Sequence, residues 1–163
     1  MPVIAASSPT DCFDAAYMAC KIALEHMTPV VLLTDAYIAN GSAAWRLPDL
    51  AEYPDIRPPY VTPDMAGAWT PFQRNPQTGV RYWATPGMEG FMHRIGGLEK
   101  SNETGAISTD SENHNLMTRL RAEKVAKIAD SIPDLKVEGN QDVDLLIVGL
   151  VEHTVICIRL WMS

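Results

Sequence analysis

The stretch Pro2–Asp35, PVIAASSPTDCFDAAYMACKIALEHMTPVVLLTD, decides the fold class. Pro2 to Ala5 is a short apolar run of strand character. In the Ser7-Ser8-Pro9-Thr10-Asp11 that follows, Ser8 can cap a helix, Pro9 suits the first helical position, and Asp11 faces the orphan N–H groups. Phe13, Ala16, Tyr17, Cys20, Ala23, Leu24 and Met27 recur at i, i+3, i+4 and i+7, which predicts a helix from Pro9 to Met27 with one buried stripe. Thr28-Pro29 ends it. Val30-Val31-Leu32-Leu33-Thr34-Asp35 is a continuous β-branched and aliphatic run, as expected of a strand buried on both faces of a parallel sheet. Strand, helix and strand in this order form one right-handed βαβ unit, so the class is α/β.

The texture changes from Asn40 to Gly90. Eight of the twelve prolines (Pro48, Pro54, Pro58, Pro59, Pro63, Pro71, Pro76 and Pro86) fall there and interrupt every possible helix or central strand. The segment also carries Trp45, Trp69, Trp83, Phe72, Tyr53, Tyr60 and Tyr82, too much aromatic surface for a free linker, so it is expected to be extended and packed onto something. A glycine-rich patch follows (Gly87, Gly90, Gly96, Gly97, Gly105). Thr109-Asp110-Ser111-Glu112 then reads as a capping box opening a helix to Ile132, with Leu116, Leu120, Val125, Ile128 and Ile132 on its buried side. Pro133 stops that helix, Gly139-Asn140 turns the chain, and Asp144–Gly149 has the pattern of a further buried strand.

The 163 residues are 47% hydrophobic and 20% charged, an ordinary globular composition. A formal charge of −7 provides no basic stripe for a polyanion, so no nucleic-acid partner is expected. No apolar run reaches membrane-spanning length and the start, MPVIAASSPTDC, lacks a secretory pattern, so no membrane partner and a cytoplasmic location are expected. Three cysteines without a CxxC spacing cannot supply a four-thiolate cluster site. Cys12 and Cys20, about 12 Å apart along one helix, read as core fillers.

No catalytic signature is complete. His26, His93, His114 and His153 form no HExxH and read as surface or capping residues. Ser7 and Ser8 are not in a nucleophile elbow, and N-capping by Ser8 outweighs an anion site there. Gly96-Gly97 and Gly87-x-x-Gly90 lack the phosphate-loop spacings and read as turns. Arg119, Arg121, Lys124 and Lys127 read as the solvated face of the last helix. No catalytic or metal-ligating residue is assigned, and cofactor contacts stay open.

Four segments carry a resemblance: PVIAASSPTDCFDAA, TPVVLLTDAYIANGSAAW, WTPFQRNPQTGVRYWATPGMEGFMHRIGGLEKSNETG and ENHNLMTRLRAEKVAKI. In this order, collinear from Pro2 to Gly149, they resemble the alpha subunit of 2-oxoacid:ferredoxin oxidoreductases, above all the 2-oxoglutarate type. The resemblance implies an internal fragment. Residues 1–40 would end a parallel-sheet thiamine pyrimidine-type domain, and 41–108 would be a long irregular crossing segment. Residues 109–141 would be a helix and linker, and 142–163 the first strand of a transketolase C-terminal-like domain. It further implies thiamine diphosphate, Mg2+ and [4Fe-4S] clusters in an intact complex, with coenzyme A as co-substrate and a beta subunit and ferredoxin as partners. The thiamine-activating glutamate would lie upstream, and the metal and cluster ligands in the beta subunit, so none is carried onto a residue here.

The tail departs from that pattern. A permitted reverse translation of Leu150–Ser163 with one G restored after the first codon reads LGGTYGHLYSAMDE, similar to the family's Gly-Thr-Tyr-Gly loop and following helix. His153, Cys157 and Trp161 are then expected to be products of a frame shift. The rival expectation is a non-catalytic α/β interaction module whose aromatic, proline-rich segment wraps a partner subunit.

Overall fold

The computed structural model describes residues 1–135, 137, 139 and 144–149. They form two compact units. The first comprises Met1–Ala23, Pro29–Asp55 and the described residues from Pro133 onward; the second comprises Leu24–Thr28 and Ile56–Ile132.

In the first unit, β1 (Val3–Ala5) and β2 (Val31–Leu33) pair in parallel, with Val3 opposite Val31, Ile4 opposite Leu32 and Ala5 opposite Leu33. The expected βαβ unit is present, with α1 (Cys12–Glu25) as its crossover. The helix begins later than the Pro9 expected. Ser8 receives the Asp11 N–H on both its carbonyl and its hydroxyl (3.1 and 3.2 Å), and these bonds close a separate turn ahead of α1. The second strand run is also shorter at its far end than expected. Asp35 accepts the Ile38 N–H at 2.7 Å and so caps a short helix, α2 (Ala36–Asn40), that the sequence reading overlooked. Nor is β2 buried on both faces: Leu33 is 38% exposed.

The stripe expected along α1 divides. Ala15 and Ile22 are buried, whereas Cys20 and Leu24 are exposed, so Cys20 is no core filler. Phe13 and Tyr17 instead meet the aromatic residues of the crossing segment. Tyr53 stands edge-on to Phe13 (5.6 Å) and Tyr17 (4.8 Å), and Trp45 lies 6.1 Å from Phe13. Tyr17 Oη donates to the Pro54 carbonyl at 2.8 Å, and Tyr53 Oη to the Asp14 carboxylate. That last bond is the main cause that pushes the Tyr53 phenol up to about 12. Residues 40–55 therefore pack on α1, as their aromatic content demanded.

The second unit is mostly irregular, as the prolines require. A tight hairpin spans 74–81: Arg74 and Arg81 pair, the Asn75 N–H reaches the Val80 carbonyl, and the Asn75 side chain accepts the Gln77 and Thr78 N–H groups. A second hairpin pairs Lys100 with Ile107. The buried apolar residues Val61, Val80, Phe91, Met117 and Ile128 gather the irregular segments and α3 (Ser111–Ala126) around them. The cap of α3 is Asp110, whose carboxylate accepts the Asn113 N–H at 2.9 Å, one residue beyond the Thr109 expected. A 3-10 turn, Lys127–Ser131, extends it towards Pro133.

Gly105 shows how tightly the second hairpin is closed. Its φ is +73°, and a Cβ there would sit 2.9 Å from Phe72 Cδ2. Gly105→Ala is expected to cost about 1–3 kcal/mol through left-handed strain and this clash, read as a lower urea midpoint. An unchanged midpoint would show that Phe72 yields freely.

Asp144–Gly149 is in no strand, and Leu145, Leu146, Ile147 and Val148 are exposed. A buried-type strand needs a ladder partner and covering faces, and among the described residues the sheet consists of β1 and β2. Residues 150–163, including His153, Cys157, Trp161 and the expected frame shift, lie outside the described residues.

Candidate functional site

The glycine-rich patch and the segment before it line an open cavity of about 660 Å³ in the second unit. Its walls include Trp69, His93, Arg94, Gly96, Gly97 and Lys100, and no aspartate or glutamate lines it. The 99–108 hairpin buries Lys100, which is 6% exposed, through Ser101 N–H to Ala106 O (2.7 Å) and Ser108 N–H to Glu99 O (3.0 Å). The Lys100 ammonium donates to the Gly97 carbonyl and, at 3.2 Å, to the Leu98 carbonyl. Two of its three protons are so used, and no carboxylate pairs with it among the described residues. A buried cation without a counter-charge is unfavourable unless something anionic approaches it.

Trp69 stands edge-on between Phe91 (5.6 Å) and His93 (5.0 Å), and its Nε1–H is buried without an acceptor. Such an orphan donor costs about 1–3 kcal/mol. His93 Nδ1 lies 2.7 Å from the Phe91 carbonyl. Because a carbonyl can only accept, the proton is assigned to Nδ1 and Nε2 is left open. Arg94 is exposed and makes no hydrogen bond or ion pair among the described residues. The wall thus includes two cationic residues, the buried Lys100 and the exposed Arg94.

A second cationic cluster serves the fold. Arg74 and Arg81 face each other across the first hairpin, where like charges oppose one another. Arg81 lies 4.3 Å over the Phe72 ring and donates to the Pro71 carbonyl, while Arg74 donates to Gly79 O at 2.9 Å. Burial holds both guanidinium groups below their usual range, and Arg81 and Arg121 add to the effect on Arg74. Lys124 is half-buried, donating at 2.7 Å to Met27 O just beyond the end of α1, where carbonyls lack intrahelical partners. It is therefore not on the solvated face expected of it. Arg119, paired at 3.8 Å with Glu123, is on that face, as is the exposed Lys127, which donates to Gln77 O. His114 and Arg121 converge on Glu99 at 2.7 and 3.1 Å and hold its carboxyl below the usual range, His114 most strongly.

Burial first, then Arg74 and Arg81, push the Lys124 ammonium down from 10.5 to about 8. Between those values the unfolded chain binds more protons, so this group's contribution to stability rises with pH from about 8 towards 10.5. Wild type is therefore expected to gain stability relative to Lys124→Met as the pH is raised from about 7.5 to about 10. Parallel urea-midpoint profiles for the two proteins would contradict this.

The remaining sequence candidates separate. Ser7 gives both its N–H and its hydroxyl to the Asp11 carboxylate (2.8 Å each), so the group seated at that turn is the chain's own carboxylate. Gly87 and Gly90 have φ of +92° and +82°, in keeping with turns. His26 is half-buried, His114 is exposed, and His93 stands in the cavity wall instead of at the surface. Lys100 and Trp69 were missed as site residues. The signal that could have found Lys100 was a lysine three residues beyond a Gly-Gly turn.

A thiamine diphosphate site needs a carboxylate shielded from water beside the aminopyrimidine, and oxygen ligands for the cation on the diphosphate. Among the described residues the buried charged side chain is Lys100, and no group of three or more His, Cys, Asp or Glu could hold a metal ion. These residues alone do not fit that cofactor.

Residues 1–113 match the family model described as pyruvate flavodoxin/ferredoxin oxidoreductase, thiamine diphosphate-binding. The chain belongs to this oxidoreductase family. Among curated relatives it is similar to the 2-oxoglutarate oxidoreductase subunit KorA of Mycobacterium tuberculosis, with 44% identity over 148 residues. That alignment takes in 90% of this chain and 22% of the relative. The 2-oxoglutarate synthase subunit KorA of Methanothermobacter marburgensis is 23% identical over 88% of this chain and 37% of its own length. The chain thus spans well under half of either relative. Among solved structures, the 2-oxoglutarate:ferredoxin oxidoreductase of Magnetococcus marinus, with 2-oxoglutarate, coenzyme A and succinyl-CoA bound, superposes with a TM-score of 0.72. That match covers 85% of this chain and 24% of the other at 23% identity, and it establishes a shared fold for this oxidoreductase family member.

Proposed function

We propose that the chain is part of the alpha subunit of a 2-oxoglutarate:ferredoxin oxidoreductase. The intact complex would convert 2-oxoglutarate, coenzyme A and two oxidised ferredoxins into succinyl-CoA, carbon dioxide, two reduced ferredoxins and a proton. The observation that carries this reading is the 44% identity to the Mycobacterium tuberculosis subunit along 90% of the chain, joined to the family match. Thiamine diphosphate supplies the carbanion-stabilising chemistry in such enzymes, and the protein contributes placement and burial. In this reading the Mg2+ and [4Fe-4S] ligands belong to a beta subunit, and the location is cytoplasmic. Residues 1–40 close the pyrimidine-type domain, 41–108 cross over, 109–141 link, and 142–163 open a transketolase C-terminal-like domain.

The exposed apolar residues of the crossing segment favour a covering partner. Leu47 and Leu50 in the first unit, and Met92 (99% exposed) and Leu98 in the second, stand open to water. This wrapping is what the interaction-module reading also requires, and here it serves the enzyme. Purifying the tagged intact subunit from its native host tests the proposal. A co-eluting cysteine-rich, iron–sulfur-containing subunit is expected, and a partner without iron would contradict it. On that complex, amides of residues 40–98 are expected to exchange more slowly than in the alpha subunit alone. Equal exchange would refute the covering role.

A further inference from the structure

The 74–81 hairpin and α3 bring three cations together in the second unit. Lys124 packs its methylenes against Gly79, where an added Cβ would lie 3.7 Å from the Lys124 Cβ, and the Gly79 carbonyl accepts from Arg74 at 2.9 Å. Arg81 opposes Arg74 across the hairpin, and Arg121 acts on Arg74 from α3. From beyond the end of α1 the Met27 carbonyl accepts from Lys124 at 2.7 Å. No carboxylate pairs with Lys124, Arg74 or Arg81 among the described residues. Lys124 is half-buried, so part of its surface stays in solvent. We infer that Lys124 is an acylation site for anionic acyl thioesters, its amine made nucleophilic by its place between Arg74, Arg81 and the Met27 carbonyl. Partial burial and then the crowding by Arg74 and Arg81 bring the ammonium down to about 8, so neutral amine is present near neutral pH. The neutral Nζ adds to the thioester carbonyl carbon; the N–C bond forms, the C–S bond breaks, and the thiol leaves with the proton that the nitrogen sheds. The amide so formed keeps one N–H for the Met27 carbonyl and removes a like charge from beside Arg74 and Arg81. The same cations draw in a negatively charged donor and repel a positively charged one. None of this rests on the function proposed above.

Mass spectrometry of the folded 163-residue chain after brief exposure to acetyl-CoA tests the site. At about pH 7.5, Lys124 is expected to be acetylated at least about threefold faster than the exposed Lys127 of the same molecule; its lower basicity offsets part of the gain in neutral amine. Its rate is expected to level off above about pH 8.5, whereas that of the same lysine in a free peptide of residues 119–130 climbs to about pH 10. With S-acetylthiocholine, a cationic thioester, the preference for Lys124 over Lys127 is expected to shrink. Arg74→Gln and Arg81→Gln are each expected to slow acetylation of Lys124 at least about twofold by removing a neighbouring cation. Should either fail to fold, the rate ratio and pH profile of the wild-type chain still decide. Acetylation of Lys124 no faster than that of Lys127, a pH profile matching the peptide's, or the same preference with the cationic donor would each overturn the inference.

Discussion

Met117→Ala is expected to lower the stability of the second unit by about 2–5 kcal/mol, the range for emptying a well-packed methionine site. Met117 is 2% exposed and is the buried residue of α3, whose other positions are half-buried or open. The apolar hold of the helix on its unit therefore rests largely on this side chain and on Ile128 in the turn that follows, beside the polar ties of His114, Arg121 and Lys124. Few regular backbone ladders exist in this unit to share the loss. Chemical denaturation should show a lower midpoint at an unchanged slope. A loss below about 1 kcal/mol would mean that the surroundings collapse into the vacated space.

The pure 163-residue polypeptide is expected to show no 2-oxoglutarate-dependent reduction of a viologen dye, even with thiamine diphosphate, Mg2+ and coenzyme A supplied. The reaction needs an acid at the aminopyrimidine and an acceptor for single electrons. The described residues offer neither a buried carboxylate nor a cluster of metal-ligating side chains. Any measurable rate with the isolated polypeptide would show that it builds a thiamine site by itself. The defect is one of missing parts, so raising the cofactor concentration should not relieve it.

The βαβ unit was legible because apolar runs and helical periodicity are local signals, and Val3–Ala5, α1 and β2 follow them. The prolines likewise foretold an irregular middle. Partners distant in sequence were not legible. The helical period puts Phe13 and Tyr17 on a core-facing stripe, yet they meet Tyr53 and Trp45 from the proline-rich segment. Asp35 was read as the end of a strand, although an aspartate before Ala36-Tyr37-Ile38 is also a helix cap, and capping won. Asp144–Gly149 had the composition of a strand, but a strand is a pairing, and composition cannot supply the partner. The cavity was hidden for a related reason: Trp69, His93 and Lys100 come from three irregular segments with no period to align them. Only the fold brings Trp69 and the buried Lys100 into one wall.

The measurement that tests the central claim most directly is turnover by the intact alpha subunit purified with its partner. Reduction of ferredoxin should require both 2-oxoglutarate and coenzyme A, release carbon dioxide and form succinyl-CoA with two ferredoxins reduced per turnover. A complex that reduced ferredoxin with pyruvate but not with 2-oxoglutarate, or that formed no acyl-CoA with any 2-oxo acid, would contradict it.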